Sequence, residues 1–493
     1  MKVLGISALF HDASVCMIEN EKLLFAAHAE RYSRQKNDLY LNQTIINEAL
    51  SFGNPDVIAW YEKPFNKKLR QAYASQWKDF FLLNELPRNY LKQFGLHKYP
   101  IRYINHHEAH AAAGFFTSQF DNCCVIVADA IGEWTTFSIG EFVDNKFYCK
   151  KSIIYPHSLG LLYSAFTQRC DLKPNEEEYI LMGMASYGEP KYVDDISNDF
   201  IELNTSDFDF RLKMNVHKGI GKWNPQADLM DLAASIQAVT ERILLEAVKY
   251  TAREFSSENL ILMGGVSLNC VANEKIARFW MDKTHNNGNI WIMPNPGDSG
   301  TCIGAASSVL GKKVHWKNPY LGYDIKRSFE HDNIIKALLN KEVIAVANGK
   351  AEFGPRALGN RSILSDPRGI HMKDKVNSIK RRQKFRPFAP IIMEDKASDF
   401  FDMYIPESPY MQFTFPCKAP DEYSAIVHVD GSSRVQTVNE NDNSNIYNLL
   451  LDFYERTGCP MLLNTSMNIK GEPLVNTWDD ALRFNQNTKV QIF

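Results

Sequence analysis

The sequence predicts an α/β protein with an internally duplicated N-terminal region and a separate α/β region at its C-terminus. Three observations lead there: a strand–acidic loop–hairpin plan that occurs twice, a strand ending in paired glycines ahead of a helix, and a change of texture near residue 310. At 493 residues the chain exceeds what one core organises, so two or three domains are expected. A composition of 45% hydrophobic and 23% charged residues excludes wholesale disorder. With 55 basic against 58 acidic residues there is no basic excess, which speaks against a nucleic-acid binder.

The first copy of the plan runs from a buried strand at Val3 to Ser7, through a polar loop with His11 and Asp12, to a strand at Ser14 to Ile18. A turn at Glu19-Asn20-Glu21 and a strand at Leu23 to Ala29 complete it. Residues 123–154 repeat it as "CCVIVAD", "AIGEW", "TTFSIGEF", "VDNK" and "FYCKKSII". Turn residues sit where hairpins need them. Such repetition reads as a duplication, although two unrelated hairpins would give the same pattern. His11 and Asp12 also break the N-terminal apolar run, so strand–loop–strand reads better than a signal peptide. No stretch reaches the roughly 18 apolar residues of a membrane helix. Nine scattered cysteines without a CxxC pair point to reduced thiols and a cytoplasmic location.

Between the copies, "SQWKDFFLLNELPRNYLKQF" predicts a helix burying Trp77, Phe80, Phe81 and Leu91 on one face. After the second copy, "LAASIQAVTERILLEAVKYTAREF" is an amphipathic helix, succeeded by the strand "NLILMGG" and the helix "VSLNCVANEKIARFW". Strand, Gly264-Gly265 and helix N-terminus form a construction that receives phosphate or nucleotide on backbone N–H groups. A tight turn alone satisfies the same residues. "GKKVHWKNPYLGYDIKRSF" reads as a linker, and the chain beyond it is long enough for an independent domain.

"NHHEAH" places His106 and His110 one helical turn apart, on one face and within reach of one ion. The HExxH alternative fails, because Ala111 stands where its second histidine belongs. A divalent site of nitrogen and oxygen donors needs carboxylates. Asp129, ending "CCVIVAD", and Asp298, in "PNPGDSG", emerge from apolar strand ends where α/β proteins carry function. Two helix-face histidines with ordinary hydrogen-bond partners are the alternative.

These segments carry a family resemblance. "NHHEAH" and "GGVSLN" resemble elements of the Kae1/Gcp group of ASKHA-fold proteins. "GISALFHDAS", "AERYSRQKND", "YPHSLGLLYSAFT", "LMGMASYGEP", "FGPRALGNRSILSDPR", "FRPFAP", "HVDGSSRVQTV" and "NTSMNIKGEPLV" resemble, in order, the NodU/CmcH family of O-carbamoyltransferases. The resemblance implies a duplicated, Kae1-like ASKHA domain over residues 1–322 and an α/β YrdC-like domain over 323–493. It implies formation of a carbamoyl-adenylate from ATP and carbamoyl phosphate, then transfer of the carbamoyl group to a hydroxyl of a small molecule. Carried over by position, the metal ligands would be His106, His110, Asp129 and Asp298, with Fe2+ the expected ion. Gly264, Gly265 and Asn269 would lie by the adenylate, and ATP would come with Mg2+. His11, with Asp12 beside it, matches the histidine near the transferred carbamoyl, and a loop histidine suits a base acting near neutral pH.

In the C-terminal part, "NSIKRRQKFRPFAP" interleaves cations with aromatics, and its Lys380 and Arg382 resemble the YrdC-type "KxR" element. Arg386 stands where that group carries a lysine. Ser466 and Asn468 resemble its "SxN" element, and Arg356, Arg361 and Arg434 add guanidinium forks suited to phosphate oxygens. A solvated charged face is the plainer reading of such a run. Departures are Lys350 where relatives carry arginine, and Ile180 and Ser186 where they carry lysine and proline. The acidic stretch Asn175 to Ile180 would suit a polyhydroxyl or amino-bearing acceptor. A threonylcarbamoyl-type tRNA modifier and a non-catalytic nucleotide-binding ASKHA protein are the alternatives. No membrane partner is expected, and a homodimer is the commonest assembly.

Overall fold

The computed structural model describes all residues, Met1–Phe493. They form two compact units, one holding Met1–Ala29 and Asn37–Trp316, the other Glu30–Lys36 and Lys317–Phe493. The second unit begins just ahead of the expected boundary at 323. It also takes in a short N-terminal segment that a linear division assigns to the first.

Unit one contains two five-stranded sheets with one topology. In the first, β1 (Lys2–Ser7) pairs antiparallel with β2 (Ser14–Glu19), and β2 with β3 (Lys22–His28). On the other side of β1, β4 (Val57–Trp60) and β5 (Ile101–Tyr103) continue in parallel, giving the order β3-β2-β1-β4-β5. The second sheet has β6 (Cys123–Ala128), β7 (Thr135–Val143) and β8 (Lys146–Ile154) as its antiparallel meander. There β9 (Asn259–Met263) and β10 (Asn289–Trp291) lie parallel beyond β6. The two sheets match strand for strand, so the duplication is real and the fold is the ASKHA type. The hairpin turns are made as their residues demand. Asp144 and Asn145 both take positive φ, 50° and 61°, as a type I′ turn requires.

The central strand β6 is buried along its whole length, consistent with its continuous apolar run. Two helices matter most for function. One, His106–Thr117, leaves β5 and is buried on nearly every side. The other, Thr301–Leu310, comes directly after the short turn of helix at Asp298–Gly300. They touch backbone to backbone. A Cβ on Gly304 would stand 1.7 Å from the carbonyl oxygen of Ala109, so only glycine fits there.

The helix expected across residues 75–94 does not form as one buried element. It breaks into Trp77–Phe80, Leu83–Glu85, Pro87–Tyr90 and Leu91–Phe94, with Pro87 unable to continue a preceding helix. Leu91 is buried, but Trp77 and Phe81 are 55% and 70% exposed. Apolar spacing reported an amphipathic face and not whether anything covers it.

Unit two is built on a six-stranded mixed sheet. Its strands are β11 (Ile344–Ala347), β12 (Arg361–Ser365), β13 (Ala389–Met393), β14 (Gln436–Val438), β15 (Met461–Ser466) and β16 (Gln491–Ile492), in the order β14-β13-β15-β12-β11-β16. Part of the expected linker is strand: Tyr320–Ile325 pairs with Gly349–Glu352. All nine cysteines are free thiols. No helix is long and apolar enough to cross a membrane.

The Gly304 contact makes a testable demand. Gly304→Ala should lower the stability of unit one by about 3 kcal/mol, the upper range for overpacking a core. Denaturant unfolding of the two proteins measures it.

Candidate metal centre and anion site

His106 and His110, on the first turns of the helix His106–Thr117, meet Asp129 from the end of β6 and Asp298 from the turn before Thr301–Leu310. One donor atom from each lies within 4.8 Å of the others. Nε2 of His106 is 3.1 Å from Asp129 Oδ2 and 3.6 Å from Asp298 Oδ1. For His110 Nε2 the corresponding distances are 3.7 and 3.3 Å, and the two Nε2 atoms are 3.1 Å apart. Four ligands at about 2.1 Å from one tetrahedral ion would be separated by about 3.4 Å. The set therefore fits a divalent cation.

Two further observations favour an ion over ordinary hydrogen bonding. His110 Nδ1 lies 3.1 Å from the carbonyl oxygen of Pro296 and donates to it, which orients the ring so that Nε2 faces the cluster. His106, His110 and Asp129 are buried and the Asp298 side chain is 8% exposed, so their charges must be met locally. Burial alone would lower the His110 pKa, yet its bonds to Asp129 and Asp298 outweigh that and raise it to about 9. Burial pushes the Asp129 carboxyl up, but the two histidines overcome this and hold it well below the usual range. A dication satisfies all four groups at once.

The glycine pair has a role the sequence did not reveal. Gly264 takes φ +90°, and a Cβ there would lie 2.1 Å from Ala128 O. This turn presents the amide of Gly265 to Asp129 Oδ1 at 3.1 Å, so it steadies a candidate metal ligand. Asn269 caps the helix Cys270–Lys283 and exchanges hydrogen bonds with Gln237 through both ends of its amide. Its side chain is committed to that frame.

His11 sits in the loop between β1 and β2, where Leu9 and Asp12 both take positive φ, 74° and 48°. A bulky residue held there marks a strained loop. Leu9 N and Ala13 N donate to Leu39 O and Asp38 O, and Lys67 Nζ donates to Leu9 O. His11 Nδ1 is 2.9 Å from Asp12 Oδ2, and Nε2 is 2.9 Å from the carbonyl oxygen of Asn175. Both neighbours accept, so the ring carries two protons in this arrangement. Burial would lower its pKa, but Asp12, by charge and hydrogen bond, raises it to about 10. A free base at neutral pH was the expectation; the two acceptors around the ring favour a proton-holding imidazole beside a carboxylate. Asn175 belongs to the acidic stretch, which folds onto this histidine.

In unit two, Lys380 Nζ is buried and surrounded by Ser466 and Asn468. It donates to the carbonyl oxygen of Ser466, to Ser466 Oγ at 3.2 Å, to Asn468 O at 3.0 Å and to Asn468 Oδ1 at 2.9 Å. Burial, with the nearby charges of Arg382, Arg386 and Lys36, lowers its pKa well below that of an ordinary lysine. Arg382 is fixed by Asn377 Oδ1 at 2.7 Å and by stacking 4.2 Å over the Phe388 ring. Arg356, Arg386 and Arg434 are half-buried, with a face left to solvent.

Arg361 differs from the sequence expectation. It is fully buried, and all its donors are spent on carbonyl oxygens: Nε on Asn476, Nη1 on Asn348 and Asn360, Nη2 on Tyr323 and Gly349. A guanidinium has five N–H groups, so none remains for phosphate. It anchors strands and loops of its own unit.

Family models described as Carbamoyltransferase N-terminus and Carbamoyltransferase C-terminus match residues 2–307 and 335–493. The chain belongs to the carbamoyltransferase family. It is thus an enzyme of carbamoyl transfer, related to the NodU/CmcH proteins. An uncharacterised protein of Synechocystis is 35% identical over 99% of this chain and 94% of its own length. The nodulation protein NolNO of Sinorhizobium fredii is 31% identical over 97% and 77%. The 3'-hydroxymethylcephem-O-carbamoyltransferase of Amycolatopsis lactamdurans is 27% identical over 97% and 95%. Among solved structures, full-length HypF in its phosphate- and nucleotide-bound form aligns with TM-score 0.37 at 12% identity, over 63% of this chain and 55% of that one.

The carbamoyltransferase should purify with, or take up, about one divalent ion per chain, read by elemental analysis. Asp298→Ala should reduce that occupancy to under about a tenth, because removing one of four ligands leaves three donors in a dry site. Chelation should also lower the melting temperature of the wild type more than that of the variant, since bound metal stabilises only the folded state.

Proposed function

We propose that this carbamoyltransferase is ATP-dependent and works on a hydroxyl of a small-molecule acceptor, forming carbamoyl-adenylate in unit two and transferring the carbamoyl group in unit one. The observation that carries the reading is the coexistence, in one chain matched by both family models, of a cation-demanding quartet and a cation-rich cluster. Each suits one half of the chemistry.

In the first half, carbamoyl phosphate is hydrolysed to carbamate and phosphate. A carbamate oxygen then attacks the α-phosphorus of ATP, and pyrophosphate leaves. Both substrates are anions, so their meeting requires fixed cations. Lys380, Arg382, Arg386, Arg356 and Arg434 supply them, with Ser466 and Asn468 holding the lysine. Arginine forks pair with phosphate oxygens bidentately. ATP would arrive with Mg2+.

In the second half, the acceptor oxygen forms a bond to the carbamoyl carbon, the acyl–phosphate bond breaks and AMP leaves. His106, His110, Asp129 and Asp298 would hold the divalent ion, with Fe2+ the choice the family resemblance implies. Bound there, it would offer Lewis-acid polarisation of an oxygen without redox change. Gly264 and Gly265 present backbone toward the same centre, where the adenylate would lie. Asp12 keeps a proton on His11 Nδ1, the arrangement in which an orienting carboxylate prepares a histidine base. When the acceptor hydroxyl replaces the Asn175 carbonyl, Nε2 in its unprotonated form faces the proton to be removed.

Two measurements test this. Mass detection of carbamoyl-AMP from ATP and carbamoyl phosphate, with pyrophosphate release, should succeed with wild type and fail with Lys380→Ala; its absence in wild type refutes the adenylate. An acceptor screen with labelled carbamoyl phosphate, sugars and nucleosides against tRNA, then separates a small-molecule enzyme from a tRNA modifier.

The proton held by His11 also predicts a pH dependence. If His11 is the base, transfer should accelerate with pH from 7 toward about 10, following its deprotonation. Asp12→Asn should shift that inflection down toward the ordinary histidine value, because the charge that raised it is gone. The sign for stability is opposite. A raised pKa contributes stability fully below 6.5, the unperturbed value, and loses it as pH climbs through about 10.

A further inference from the structure

We infer that the segment Glu30–Lys36, N-terminal in sequence, is a positioning element of the donor-activating unit, in which Arg31 and Arg34 brace the two loops carrying its anion-binding residues. The inference rests on the proposal that unit two activates carbamoyl phosphate. It adds residues remote in sequence from that unit's own stretch of chain.

The segment folds with unit two although β3 and Asn37, on either side of it, belong to unit one. Arg31 is 3% exposed and donates from Nη2 to the carbonyl oxygen of Gly354 at 2.7 Å. Gly354 opens the loop that carries Arg356. The far end of that loop is closed by Glu352, whose Oε1 accepts from the amides of Leu358, Asn360 and Arg361 at 2.9, 2.9 and 3.1 Å. Arg31 therefore braces the near end of the loop, beside the bond from Phe353 N to Pro319 O, while Glu352 closes the far end.

Arg34 grips the second loop. Its Nη1 and Nη2 donate to Leu474 O at 2.6 Å and Pro473 O at 3.0 Å, and its Nε lies 3.6 Å from Asp480 Oδ1. The neighbouring carbonyl, Glu472 O, accepts from Asn468 Nδ2 at 2.6 Å. Asn468 Oδ1 in turn accepts from Lys380 Nζ and from Ser466 Oγ. Arg34 is thus a short hydrogen-bonded path from the buried ammonium. Its backbone takes φ +59°, an unfavourable conformation for arginine. That strain is consistent with a side chain held by several fixed acceptors. Lys36, exposed at the end of the segment, adds its charge to the field around Lys380.

Two guanidinium groups that donate mainly to backbone carbonyls act as positioning groups. Their effect is to fix where Arg356, Lys380, Ser466 and Asn468 stand, and positioned cations bind anions better than mobile ones because less ordering is left to do.

The test uses the full-length protein in carbamoyl-phosphate-dependent exchange of labelled pyrophosphate into ATP. Arg34→Ala should raise KM for carbamoyl phosphate about tenfold with kcat within about twofold, the pattern of lost binding rather than lost chemistry. Arg34→Lys, which keeps a cation and two donors, should recover most of that loss, and Arg31→Lys should show a smaller rise. A brace without influence on the site would lower the melting temperature and the active fraction while leaving KM unchanged, and that result overturns the inference. If the alanine variant does not fold and the lysine variants are silent, hydrogen exchange of the wild type decides. Carbamoyl phosphate should protect residues 30–36 together with 353–361 and 466–475; protection of the latter two without the first overturns it. Wild type without any exchange activity sinks the adenylate reading instead, a distinct outcome.

Discussion

Four ligand atoms can converge on one point in unit one because two helices touch without side chains between them. The helix that carries His106 and His110 lies against Thr301–Leu310 so closely that Gly304 meets the Ala109 carbonyl. Asp298 sits in the turn that opens the second helix, so this contact sets the histidine pair against that carboxylate. Asp129 is set by other means, at the end of the buried strand β6 and under the amide of Gly265. A dry interior then does the rest. Charges withdrawn from water on this scale are stable only when something of opposite sign meets them.

Much of this was legible in the sequence, and the reasons differ from place to place. The duplicated sheets were readable because β6 is a continuous apolar run and Asp144-Asn145 a hairpin turn, both local signals. The quartet was readable because His106 and His110 share a helix face and two aspartates end apolar strands. The features that escaped were partnerships made by tertiary folding. Nothing near Asn175 says that its carbonyl caps His11, and nothing near Gly265 says that its amide faces Asp129. The exposure of Trp77 and Phe81 escaped for the same reason: a periodic face is a local property, and its covering is not.

The units also differ in how they handle charge. In unit one the acids and histidines are paired with one another, and His11 keeps its proton because Asp12 stands next to it. In unit two the excess is positive, and the buried cations are quieted by neutral oxygens: the carbonyls around Arg361, and Ser466 and Asn468 around Lys380. Neutral acceptors suffice to keep a cation folded. They are also weaker partners than a phosphate, which brings an opposite charge and matched oxygens to the same donors.

Under the proposed function, that difference sorts the cations into anchors and candidate receptors. Arg361 has every donor occupied within the strands and loops that define its unit, so releasing it would cost the frame itself. Lys380 is held by a side-chain amide, a hydroxyl and two carbonyls, those of Ser466 at the end of β15 and of Asn468 just beyond it, so fewer of its partners belong to the sheet. Arg356, Arg386 and Arg434 keep part of their surface open. Counting arginines in a motif therefore overstates how many can reach a ligand. The deciding factor is whether the acceptor already in place belongs to the scaffold or to a loop that can let go.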